Sequence, residues 1–81
     1  MYAIEYKTDS CGICETVERN LKASGIKFKV LDKSACRSKI YKVPYIEFYT
    51  DDNNLVEHRV GLVSIYDIRH IMSVYDRKNS Y

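Results

Sequence analysis

Eighty-one residues with 13 Lys/Arg against 11 Asp/Glu, a net charge of +2, are enough chain for one small domain spanning 1–81 and carry too little charge to suggest nucleic acid as a partner. Apolar residues make up 46%, which argues for a packed core over disorder, and no apolar run approaches the roughly 18 residues of a membrane span. The N-terminus lacks the basic start and apolar stretch of a secretory signal, so a cytoplasmic setting is expected. There a cysteine pair is more often catalytic or metal-binding than structural, and three cysteines are an odd number for a disulfide framework.

Tyr2 to Tyr6 is short, rich in Tyr and Ile, and reads as a strand. Thr8-Asp9-Ser10 is a polar loop suited to capping a helix over Cys11 to Ser24, where Cys14, Val17 and Leu21 recur at three-four spacing. Glu15 and Glu18 early and Lys22 late match the helix dipole, and Gly25 is a left-handed stop. Ile26 to Val30 alternates apolar residues with lysine, the pattern of a strand with one solvated face at a sheet edge. Asp32 and Ser34 are expected to cap a short helix from about Ser34 to Tyr41, ended by Val43-Pro44, because the residue before proline avoids helical angles. Tyr45 to Tyr49 and Leu55 to Val60 read as a hairpin around Asp51-Asp52-Asn53-Asn54. Ser64 caps a last helix with Ile65, Ile68, Met72 and Tyr75 on one face, and the polar tail Arg77 to Tyr81 is expected to fray. The order β-α-β-α-β-β-α predicts an α/β domain: a four-stranded mixed sheet with helices on both faces and the first two strands parallel.

The residues that carry chemistry are Cys11-Gly12-Ile13-Cys14. Two cysteines three apart at a helix start are suited to dithiol–disulfide exchange, because unpaired N–H groups and the helix dipole favour the thiolate of the first. Cys11 is the expected nucleophile and Cys14, one turn on, the resolving cysteine. Lys7, in the preceding loop, is expected to reach the Cys11 thiolate. Cys36 follows the second strand and should share a sheet end with Cys11, as an incidental thiol. Two other readings compete. Cys11, Cys14 and Cys36 with one histidine would make a Cys₃His zinc site, but the second close pair such sites use is missing. A binding module that had lost the chemistry would not be expected to keep both cysteines.

With this order, the CxxC loop and Pro44 before the third strand, the chain resembles the thioredoxin fold over nearly its whole length. In size it resembles glutaredoxin; Val60-Gly61-Leu62-Val63-Ser64 before the last helix resembles thioredoxin, and small phage and bacterial redoxins mix these traits. The resemblance implies a thiol–disulfide oxidoreductase, a protein disulfide reductase in electron transport and cell redox homeostasis. It implies no bound cofactor beyond a redox-active Cys11–Cys14 disulfide and no metal. It also implies a cis bond from Val43 to Pro44, Val43 backbone groups that pair with extended substrate, and Gly61 where substrate backbone approaches. Disulfide-containing proteins are the implied substrates, with ribonucleotide reductase one acceptor the family suggests. An NADPH-dependent flavoprotein reductase is the expected electron donor and glutathione, as in a glutaredoxin, the alternative. Leu62 and Val63 stand where a glutathione carboxylate would want polar donors, which favours the first. A monomer is expected.

Overall fold

The computed structural model describes residues 1–37, 39–40 and 42–76. Strands β1 (Tyr2–Lys7), β2 (Lys27–Asp32), β3 (Tyr45–Tyr49) and β4 (Leu55–Val60) form one sheet, with helices α1 (Cys14–Ser24) and α2 (Ile65–Asp76). The strand order is β2-β1-β3-β4. β1 runs parallel to β2, with Tyr6 opposite Leu31, and antiparallel to β3, with Tyr6 opposite Tyr45. β3 and β4 are antiparallel, with Tyr45 opposite Val60 and a bulge near Phe48 and Tyr49. The mixed sheet and the parallel first pair are as the sequence predicts.

Strand alternation sorts the side chains. Ala3, Glu5, Ile46 and Phe48 share one face, where Val17 and Leu21 of α1 and Ile68 and Ile71 of α2 close a single core. Ile71, absent from the expected apolar face of α2, is buried there in addition to Ile68. Both helices therefore lie on the same side of the sheet, which corrects the expectation of helices on both faces. The other face carries tyrosines: Tyr2 against Tyr49, with ring centroids 5.1 Å apart, and Tyr6 against Tyr45 at 6.2 Å.

The segment expected as a helix from Ser34 to Tyr41 is a further correction. It holds a single 3-10 turn, Lys33–Ala35, whose N-cap Asp32 accepts a 2.9 Å hydrogen bond from the Ser34 N–H, and Cys36 is already extended. Asp32 caps as read while Ser34 supplies the capped N–H, but Ala35, Cys36 and Ile40 give no apolar stripe whose burial would carry a helix further. Ser38 and Tyr41 lie outside the described residues, as does the tail expected to fray.

Two helix boundaries have clear causes. Gly25 ends α1 at φ 86°, its N–H donating to the Lys22 carbonyl. Ser64 caps α2, its Oγ accepting from the Asp67 N–H at 3.1 Å. The N-terminus of α1 departs from expectation. The helix starts at Cys14 with Ile13 as N-cap and no side-chain cap, while Thr8 to Cys11 form a turn closed by the Cys11 N–H on the Thr8 carbonyl.

Candidate active site

Register places the site. Where β1, β2 and β4 end and β3 begins, four connections meet at one end of the sheet: Lys7 to Ile13, Lys33 to Cys36, Val43-Pro44, and Gly61 to Ser64. The first holds the two cysteines, and the Cys11–Cys14 disulfide is formed, with S–S 2.03 Å and Cα–Cα 5.5 Å. Cys14 is 1% exposed and belongs to α1, whereas Cys11 is partly exposed in the turn before it. Ile13 between them is 45% exposed. No side chain of Thr8, Asp9 or Ser10 caps α1, so the first N–H groups of the helix are left beside the sulfurs, where partial positive charge stabilises a thiolate.

Pro44 is buried, and the Val43–Pro44 peptide bond is cis, as the family resemblance implies. The Pro44 carbonyl accepts from the Gly61 N–H at 2.8 Å, locking the proline segment to the end of β4. Gly61 has φ 86°, a conformation a side chain would strain, although a Cβ there would meet nothing within 4 Å. The backbone angle, not crowding, selects glycine. From α1, the Asn20 amide donates to the Val63 carbonyl at 2.9 Å and holds the Gly61–Ser64 segment against the helix.

Lys7 does not stand alone before the thiolate: its Nζ lies 3.2 Å from Oε2 of Glu18. Cys36 shares the sheet end with Cys11 but lines a cavity of about 330 Å³ on the tyrosine face, with Tyr6, Ala35, Arg37, Glu47 and Tyr49. Cys14 instead faces the helix side, so Cys36 is not part of the disulfide centre. His58 packs against Tyr45 and His70 is exposed. Among the described residues no group of three or more His, Cys, Asp or Glu could hold a metal, which leaves the zinc reading without a site.

The sequence reading passed over Glu5. It is fully buried, and neither carboxyl oxygen has a hydrogen-bond partner. Burial first, then the nearby Glu18 carboxylate, push its pKa up to about 8, while Lys7 pulls it down. Glu18 sits one turn after Cys14 on the same side of α1. The signal for Glu5 was the alternation itself: Ala3 and Glu5 share a face, and an acid on the buried face of a central strand calls for a reason.

Sequence comparison alone does not place the chain: no family model matches, and no curated protein does. Structure comparison does. Thioredoxin 1 from the thermophilic eubacterium Thermosipho africanus TCF52B superposes with TM-score 0.71 at 18% identity, over 100% of both chains. This is the thioredoxin fold. Within that fold the chain carries a formed disulfide between Cys11 and Cys14.

Proposed function

We propose that this thioredoxin-fold chain is a dithiol–disulfide oxidoreductase that reduces protein disulfides. The observation that carries the reading is the asymmetry of the pair: one sulfur reachable in a turn, the other buried at the first residue of an uncapped helix. The reduced Cys11 thiolate attacks a substrate disulfide, and one substrate sulfur leaves as a thiolate. The Cys14 thiolate then attacks Cys11 Sγ, the second substrate sulfur leaves, and two electrons have passed to the substrate as the Cys11–Cys14 disulfide forms. Val43 offers its backbone to an extended substrate segment by strand addition. Ile13, Val60 and Leu62, all exposed, supply an apolar surface suited to a protein. Gly61 lets the substrate backbone pass.

The electron donor that fits best is an NADPH-dependent flavoprotein reductase, because Leu62, 62% exposed, and buried Val63 offer no polar side chain to a glutathione carboxylate. Lys7, drawn to Glu18, is not held ready for such a carboxylate either. Ribonucleotide reductase fits as one electron acceptor among disulfide proteins, and the chain works as a cytoplasmic monomer; among the described residues no helix is long and apolar enough to cross a membrane.

The test is reduction of a protein disulfide such as insulin, with dithiothreitol as donor. Wild type should accelerate it, Cys11→Ser should not, and Cys14→Ser should accumulate mixed disulfides with substrate. Retained turnover in Cys11→Ser would overturn the mechanism. Equilibration against thiol buffers then separates the donors: a potential near about −270 mV fits a flavoprotein reductase, and about −200 to −230 mV fits glutathione.

A further inference from the structure

The sheet has two outer edges, β2 and β4. Lys27 and Lys29 stand exposed along β2 and discourage pairing there. β4, Leu55-Val56-Glu57-His58-Arg59-Val60, has neither lysine nor proline, and Leu55 and Val60 are exposed. The ladder with β3 fixes which backbone groups point outward. The Gly61 N–H bonds the Pro44 carbonyl, so bonded and non-bonded pairs alternate from there, and His58 and Val60 are the residues that turn their N–H and C=O away from β3.

At His58 those outward groups are occupied by the strand's own side chains. The His58 N–H donates to Glu57 Oε1 at 3.1 Å, and the His58 carbonyl accepts from an Arg59 guanidinium N–H at 2.9 Å. The same Glu57 oxygen and Arg59 nitrogen pair at 2.7 Å, closing a ring over the edge. Two side chains thus take the place that a neighbouring strand would fill.

We propose that the outer edge of β4 is a strand-pairing surface for a second copy of this chain, held shut in the monomer by the Glu57–Arg59 clasp. Charge pattern selects the occupant and its register. An antiparallel pair centred on His58 exchanges N–H and C=O between the two His58 residues, which already face outward. It also sets Glu57 of each copy opposite Arg59 of the other, so the ion pairs that open within a chain re-form between chains. The edge of β2, with its lysines, offers Arg59 no such match.

Sedimentation velocity on charge-reversed variants tests this. Glu57→Arg and Arg59→Glu each break the clasp but set like charges opposite one another in that register, so each alone should stay monomeric. Mixed in equal amounts, they should form a dimer at a concentration at least about tenfold below any at which wild type associates. His58→Pro in both partners removes an outward N–H that β3 does not use and should abolish the dimer. A mixture that stays monomeric while both variants keep the wild-type far-UV spectrum would overturn the proposal. So would a dimer that survives His58→Pro, or growth past the dimer, which would assign the opened edge to β2 of the next copy. If a reversal prevents folding, Glu57→Ala/Arg59→Ala replaces it: it should dimerise where wild type does not, and equal behaviour refutes the clasp.

Discussion

Replacing Glu5 by Gln should remove a large part of the pH dependence of stability. Glu5 is fully buried without a hydrogen-bond partner for either oxygen, and its pKa rises from 4.5 to about 8. A raised acid binds its proton more tightly folded than unfolded. Stability from this group is therefore greatest below about pH 4.5 and is lost as pH rises toward 8. The full shift corresponds to about 5 kcal/mol; allowing for water entry and relaxation around the charged form, about 2–3 kcal/mol is the working figure. For a domain of this size that lowers Tm by at least about 10 °C. The assay is thermal unfolding of the oxidised protein between pH 5 and pH 9, a window in which the disulfide cysteines do not titrate. Wild type should lose stability across it and Glu5→Gln should stay nearly level. Parallel curves for the two proteins would refute the assignment.

Lys7→Met should move the wild-type transition to higher pH, since Lys7 lowers the Glu5 pKa; the midpoint of the same stability profile reads it, and a downward shift would contradict the charge geometry. Glu47→Gln should let Tyr6 and Tyr49 ionise at somewhat lower pH, because burial first and then the Glu47 carboxylate hold Tyr6 up to about 12 and Tyr49 well above its usual value; absorbance at the phenolate band during alkaline titration follows this. Phe48→Ala, at the centre of the core, should cost about 3–5 kcal/mol in urea unfolding. Gly61→Ala should cost about 1 kcal/mol through its φ of 86°, and not through a clash.

The hairpin was fully legible in the sequence: β3 and β4 begin and end where alternation and the Asp51–Asn54 turn place them. The caps at Gly25, Asp32 and Ser64 were legible too, because each is one residue acting on its own neighbours. The start of α1 was not. The sequence places Cys11 to Ile13 in the helix, yet the chain bends through them, and the helix begins at Cys14 with Ile13, not the polar loop, as its N-cap. The missing helix after β2 has the opposite cause: good local caps with no apolar face behind them. With that helix absent, the helices that remain, α1 and α2, share one side of the sheet, which no local pattern reports. Cys11, Cys14, Pro44 and Gly61 stand in the connections at one end of the sheet. The burial of Glu5 depends on β1 being an interior strand, and the partner of Lys7 on where α1 lies, both tertiary facts.

β1, the strand that leads into the cysteines, comes first along the chain and stands in the interior of the sheet, between β2 and β3. Its pairing with β3 joins residues 39 to 47 positions apart, and α2, which closes the core, comes later still. During synthesis the thiols emerge long before anything exists to bury Cys14, so in the nascent chain both are equally reachable. The difference in exposure between them is therefore a property of the folded domain, and an N-terminal fragment that stops short of α2 lacks the helix that closes the core.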